Sequence, residues 1–393
     1  MLLNRADMIM VLLAILGVLI LRQYMPSLVS FHDESGDSKR YDPIFVEVLK
    51  KNTQITGNPS EADIVLPSGA GPGSVKRDQV LMHVSNEQVM MDRNMLWKLF
   101  MKKGGREYAR EYIPEIFVIC NTSASDDYEI FLQRKTEWPS TMFRPFLLKS
   151  EAKNDTEGLY MTQADIEDCL TEIKNNNLLT RVFSARLDAK AVFSLQYTVI
   201  QKLLMNPCIF LSRSFKLELY LAFTNRDGKT KAHLFPDGLV YWARTRWNTN
   251  NKTIHNTIAS RRMMRKGRTT RYFERIYARY PHTLQRLMTC MGPEKSRKIF
   301  NDVLRVLKEL CKNASKEIGN EFEKNDTMNL YNVEVMVDEN LRAWLMQIDR
   351  PRELKEATKI ETEVRAAAWE DTLKINSVIL NTTENRFKTI FEQ

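Results

Sequence analysis

The chain has little of what metal or redox chemistry requires. Its five cysteines, Cys120, Cys169, Cys208, Cys290 and Cys311, stand far apart, so neither a zinc-type spacing nor a C-x-x-C redox pair exists and no disulfide framework is expected. Its five histidines are also scattered, and no two stand four apart, the spacing that sets two imidazoles on one helix face. A transition-metal site is therefore not expected. The loop Gly69-Ala-Gly-Pro-Gly73 lacks the G-K-[ST] ending of a phosphate loop and is broken by Pro72, which leaves an ordinary turn. No internal repeat is visible.

What is present is a globular composition, 43% hydrophobic and 27% charged over 393 residues, enough for two or three packed subdomains. The net charge of +9 favours acidic partners, which include nucleic acid, anionic lipid and acidic protein tails. Charge alone does not choose among them.

Met8 to Leu21 is an uncharged run bounded by Arg5, Asp7 and Arg22. A membrane span usually needs about 20 residues, so a run this short suits an anchor, a signal-peptide core or a buried helix. The stretch from Arg22 to Ser30 lacks a small-x-small cleavage pair, and Arg22 can snorkel to headgroups, so an uncleaved single-pass anchor is the first expectation. The positive-inside rule does not fix its orientation. Sequons at Asn121, Asn154, Asn251, Asn313, Asn325 and Asn381 become acceptors only on the lumenal side, toward which the expectation leans.

Residues 31–40 read as a polar stalk. Then come a helix over Pro43 to Lys51, a strand over Asp63 to Leu66, another over Leu81 to Val84, a helical pattern from Glu87 to Lys102, and a strand over Ile116 to Cys120. Helices alternating with short apolar strands indicate an α/β layer. Beyond Phe143 strands dominate, notably Phe215 to Thr224 and the pair Asn332 to Val337 with Ala343 to Ile348. Glu361 to Leu380 has apolar residues near helical spacing and reads as an amphipathic helix capping the domain.

In the strand pair, Asp338-Glu-Asn supplies the turn. If it centres near Asn340 and Leu341, Glu334 lies opposite Gln347, with Asp349 next along the same face. Two carboxylates and an amide then converge, a set suited to a hard, oxygen-loving cation.

From Val333 to Pro351 the sequence V-E-V-M-V-D-E-N-L-R-A-W-L-M-Q-I-D-R-P resembles the F-D-x-x-I-D-E-N-L-K-P-W-L-x-E-V-N-x-x-P stretch of the tubulin-tyrosine-ligase-like family. Val199 to Phe210 resembles V-Q-K-Y-I-x-x-P-L-L-I of that family, and Ser214 to Thr224 resembles K-F-D-x-R-x-Y-V-L-x-T. Leu234 to Val240 resembles the following hairpin, and Phe146-Leu-Leu-Lys149 the W-I-x-K-P strand. The resemblance implies an ATP-grasp-like α/β (α+β) fold, in which ATP lies between two sheets and a carboxylate is activated as an acyl phosphate for attack by an amine. Taken with the apolar N-terminal run, the polar stretch after it and the helical spacing at the end, the resemblance implies a division into a membrane segment (1–25), a stalk (26–41), an N-terminal α/β subdomain (42–120), a central subdomain (121–205), a C-terminal subdomain with the metal hairpin (206–360) and the terminal helix (361–393). It implies Mg2+ at Glu334, Gln347 and Asp349, phosphate contact by Lys149, adenine contact by Gln201 and Lys202, and catalytic places for Lys216 and His255. The implied acceptor is an acidic protein or peptide, such as a tubulin tail if the domain is cytosolic; nucleic acid is not the expected partner.

Several positions depart from the family pattern. The two charges of K-F-D-x-R become Lys216 and Glu218, and Glu218 would repel the phosphate that the family arginine contacts. A second family arginine is Tyr241, with Arg244 near; H-x-T-N becomes His255-Asn-Thr-Ile258; and a basic loop residue becomes Glu157. The basic stretch Arg261 to Arg279 reads either as a surface for an acidic tail or as a solvated face. Two expectations follow: a ligase, weakened or inactive, and a membrane-tethered pseudoenzyme that binds nucleotide or protein without turnover.

Overall fold

Two fourteen-residue strands organise this molecule, pairing antiparallel along their length with one register shift between Leu219 and Leu221. The computed structural model describes residues 30–33, 41–55, 62–66, 79–84, 86–120, 146–150, 159–161, 197–204, 206–226, 228–243, 279–318, 326–351, 358–375 and 386–392, with a few isolated positions between them. The N-terminal half contributes β1 (Ser30–Asp33), α1 (Pro43–Asn52), β2 (Gln54–Ile55), β3 (Ile64–Leu66), β4 (Val80–Leu81), α2 (Gln88–Met91), α3 (Arg93–Ala109) and β5 (Ile116–Cys120). Next are β6 (Phe146–Ser150), β7 (Leu159–Met161), β8 (Tyr197–Lys202), β9 (Ile209–Phe210), β10 (Arg213–Arg226) and β11 (Lys229–Trp242). The chain ends with α4 (Leu284–Met291), α5 (Pro293–Ala314), β12 (Asp326–Val337), β13 (Ala343–Asp349), α6 (Lys359–Ile375) and β14 (Lys388–Glu392).

Ten strands form one sheet in the order β14-β11-β10-β12-β4-β3-β1-β2, with β13 on β12 and β9 on β10. Four others form a second, antiparallel sheet, β5-β8-β6-β7. The strand Ile116–Cys120 therefore belongs with the central segment, while β4 joins the N-terminal strands to the large sheet by pairing with β12. This is the mixed α/β, two-sheet arrangement that the sequence implies.

One face of β10 presents Leu217, Leu219, Leu221 and Phe223, which pack with Val333, Val335 and Val337 against Ile299, Val303, Val306 and Leu310 of α5. The opposite face presents Tyr220 and Ala222, which pack with Leu239, Tyr241, Met328 and Leu330 against α1 and α6. Burying each such side chain stabilises the fold by roughly 1.5–3 kcal/mol. Helix α1 starts sharply: Asp42 accepts a hydrogen bond from the Ile44 amide at 3.2 Å and Pro43 occupies the first turn, where its missing N–H costs nothing. Close strand packing also needs Gly238, since a Cβ there would sit 2.5 Å from the Glu218 carbonyl oxygen.

Among the described residues no helix is long and apolar enough to cross a membrane. The expected anchor, residues 1–25, lies outside them. The sequon at Asn313 falls within α5 with the residue only 7% exposed, so the folded domain does not offer it as an acceptor. The terminal helix is described over Lys359–Ile375, the rest of its expected span lying outside the described residues, and a strand not foreseen in the sequence, β14, adds to the edge of β11.

That edge carries a pH-sensitive contact. His233 on β11 is 7% exposed and lies between Thr224 Oγ1 at 3.2 Å and Thr389 Oγ1 at 3.0 Å. Burial, followed by the charge of Lys231, pulls its pKa down from 6.5 to about 4, against the opposing charge of Glu392. The folded state thus holds this imidazole neutral while the unfolded chain protonates it below 6.5. The stability contributed is complete above pH 6.5 and is lost as the pH falls toward 4, by an amount on the order of 1–3 kcal/mol. Denaturant titrations across that window are expected to show the decline, and His233→Gln to flatten it.

Candidate functional site

The hairpin β12–β13 turns as its sequence demands. Asp338 Oδ1 accepts from the Asn340 and Arg342 amides, both at 2.9 Å, and Leu341 takes a left-handed φ of 64°. The ladder then pairs Glu334 with Gln347 and Asn332 with Asp349, with an irregularity between Glu334 and Val335. Glu218 of β10 lies opposite Glu334 on the other side, so Glu218, Glu334 and Gln347 form one row on one face of the sheet.

The row is balanced by cations. Lys216 Nζ bonds Glu334 Oε1 at 2.6 Å and lies 5.7 Å from the centre of the Tyr241 ring. Arg93, the first residue of α3, donates to Gln347 Oε1, and Gln347 donates in turn to Asp349 Oδ2. Asp92 holds the helix end in place by capping the Met95 amide at 2.8 Å. Burial lowers the Arg93 pKa, while the charges of Glu334, Asp349 and Asp92 oppose that shift.

Glu218 does not face a phosphate position unopposed. It is 3% exposed, accepts from Tyr220 Oη at 3.4 Å, and lies 3.7 Å from Arg365 Nη2 of α6. Arg365 is fully buried and reaches Asp42 Oδ2 at 3.3 Å, an oxygen that also accepts from Trp369 Nε1 at 3.1 Å. The expected repulsion by Glu218 is therefore corrected: a buried arginine from the terminal helix meets its charge. Tyr241, the other departure on this sheet, donates to Glu361 Oε1 of the same helix at 2.8 Å.

Further orphaned polar atoms surround these groups. Among the described residues, Asn332 Oδ1 and Arg93 Nε are buried without a hydrogen-bond partner, an acceptor and a donor respectively. Asn332, Arg93 and Arg365 were not singled out in the sequence. In the small sheet Gln201 is fully buried, and among the described residues neither of its amide atoms has a hydrogen-bond partner. The ladder sets Lys149 opposite Val199 and Gln201 opposite Leu147, while Lys202 is half-buried beyond them, its amide bonded to Glu115 O at 2.8 Å. His255, Ile258, Glu157, Arg244 and residues 261–278 of the basic stretch lie outside the described residues.

No three His, Cys, Asp or Glu side chains gather as a metal cluster among the described residues. The oxygens of Glu334, Gln347, Asp349 and the orphaned Asn332 nonetheless make a two-carboxylate, two-amide set that fits Mg2+, which takes few protein ligands and keeps waters. Away from it, a groove of 660 Å³ runs between α5 and the hairpin turn, lined by Arg297, Lys298, Arg305 and Arg342 against Glu294 and Asp302.

The Tubulin-tyrosine ligase family model matches residues 73–386. Over 192 residues the chain is 22% identical to "Probable tubulin polyglutamylase TTLL9" of Rattus norvegicus and of Bos taurus, and 21% identical to that of Mus musculus. Those alignments cover 48% of this chain and 40% of each relative's own length, well under half of the curated proteins.

Proposed function

Because the chain belongs to the tubulin-tyrosine ligase family, we propose that it is an ATP-dependent carboxylate-amine ligase that extends an acidic protein substrate. Its relatives' name, tubulin polyglutamylase, makes a tubulin tail and glutamate the first acceptor and donor to test. The observation that carries the reading is the group Glu334, Gln347 and Asp349 on one face of the hairpin, with Lys216 and Arg93 against it. Glu334, Gln347, Asp349 and Asn332 would hold Mg2+, which would neutralise phosphate oxygens there. Lys216 and Arg93 balance the two carboxylates and are cations of the kind that phosphate attracts. The buried amide of Gln201 has a donor and an acceptor to offer a base, and leaving such a group unmet costs about 1–3 kcal/mol. The cations along α5 suit an acidic acceptor, as the net charge of +9 does. An N-terminal anchor would hold this chemistry at a membrane surface without changing it.

Titration with ATP tests the site. Affinity is expected to be at least about tenfold higher with Mg2+ than without, a difference of about 1.4 kcal/mol. Asp349→Ala is expected to erase that difference, and equal affinity in both conditions would leave the hairpin a purely structural element.

A second reading, a binding module without turnover, is favoured by one observation. Glu218 and Tyr241 stand where the resemblance sets arginines, and both are bound to α6. Acceptor-dependent ATP consumption separates the two: its presence supports the ligase, its absence alongside tight ATP binding the module.

A further inference from the structure

Of the large apolar side chains that stand exposed among the described residues, Met95, Ile209 and Leu211, two belong to one hairpin. Strands β9 and β10 pair Phe210 with Arg213 and leave Leu211 and Ser212 as a two-residue turn, at φ 47° and 68°. Such a turn asks positive φ of both central residues, which Asn and Gly adopt readily and a leucine only under strain. Two bonds hold the strained turn in place: Tyr280 Oη donates to the Leu211 carbonyl at 2.9 Å, and the Trp247 amide donates to the Ser212 carbonyl at 2.7 Å. Tyr280 is fixed in turn by Arg213, whose Nε donates to its hydroxyl at 3.2 Å. Phe210 packs on Trp242, which leaves Ile209 and Leu211, 37% and 58% exposed, to the surroundings.

The charges around this tip are of one sign. Arg246 and Arg279, each next to a residue that bonds the turn, are exposed, Trp247 and Tyr280 are half-buried, and the sequence places no Asp or Glu in 209–214, 246–247 or 279–280. We propose that the β9–β10 tip is a contact for an anionic lipid surface: Leu211 and Ile209 enter its apolar edge, Trp247 and Tyr280 lie at headgroup level, and Arg246 and Arg279 meet the negative headgroups. A leucine kept at a strained tip gains from burial in such a layer, whereas a tip that only ever faces water is better served by Asn-Gly. The uncharged run Met8 to Leu21 is shorter than the about 20 residues of a usual span, so a second contact with the same surface adds to its hold. This inference is independent of the nucleotide reading above.

Because Met8 to Leu21 can itself hold the chain on a bilayer, the test reads the tip locally. The full chain is bound to phosphatidylcholine vesicles, with and without phosphatidylserine, that carry lipids brominated in their acyl chains, and quenching of Trp247 is the difference from Trp247→Phe. Trp247 is expected to be quenched on the phosphatidylserine vesicles, and at least about twofold less without that lipid. Leu211→Asn with Ser212→Gly is expected to melt higher, since it relieves the strained turn, and yet to lose about half or more of the quenching. A misfolded variant would lose both. Arg246→Glu with Arg279→Glu is expected to erase the difference between the two vesicles, and is the variant to read if the first melts early. No quenching of Trp247 in the unaltered chain, or quenching unchanged in both double variants, overturns the proposal. So does a lipid-free dimer in sedimentation that Leu211→Asn with Ser212→Gly dissolves, which makes a second copy of the chain the occupant of the tip.

Discussion

Exchanging the two charges of β10, Lys216→Asp together with Glu218→Arg, is expected to leave little folded protein. On sequence alone the exchange restores the family order and should raise ATP consumption. In the structure it breaks two buried pairs at once. Aspartate at 216 would face Glu334, the acceptor now bonded to Lys216 at 2.6 Å. Arginine at 218 would face Arg365, 3.7 Å from the present carboxylate. Removing one partner of a buried pair costs about 3–5 kcal/mol, and replacing it with a like charge adds repulsion. Two such losses approach the whole stability of an ordinary domain, about 5–15 kcal/mol. Expression in the soluble fraction and a melting curve decide this directly. A well-folded exchange variant with raised turnover would show that these side chains face the nucleotide and that the bond to Arg365 is incidental.

Arg365→Met should produce the second largest effect, a loss of about 3–5 kcal/mol. The change leaves Asp42 and Glu218, 3% exposed each, as buried carboxylates without their shared cation. Neutralising them alongside it, with Asp42→Asn and Glu218→Gln, should recover much of the loss, because asparagine still caps α1 and replacing a whole buried charge set is often near neutral. Chemical denaturation of the single and triple variants measures both. If the triple variant is no more stable than Arg365→Met alone, the damage comes from lost packing of the long side chain rather than from charge.

The parts of this fold that could be read beforehand are those fixed locally. The hairpin from Asn332 to Asp349 declares itself through two-residue alternation and an Asp-led turn, both set by neighbours in sequence, and its register follows. The alternation of β10 likewise gives its two faces. What alternation cannot give is which element lies over a face. Glu218 was legible as an inward charge, but not as a partner of Arg365, since that depends on α6 folding back over the sheet. Arg365 itself sits in a helix recognised from its apolar residues, where a lone arginine reads as solvated. Arg93 had no signal of its own: it meets Gln347 across 254 positions of sequence. The strand β14 is only five residues, too short for periodicity to speak.

The bond from Arg365 to Asp42 joins positions 323 residues apart. A chain emerging from the ribosome exposes Asp42 first and Glu218 later, and both must wait for the segment that carries their cation. Until α6 has been made, the face of the large sheet that will hold it can close only over two uncompensated carboxylates, so the assembled sheet cannot mature strand by strand. Commitment to the native state is therefore expected late and all at once, with closure of a very long loop as its slow event and a period of chaperone dependence before it.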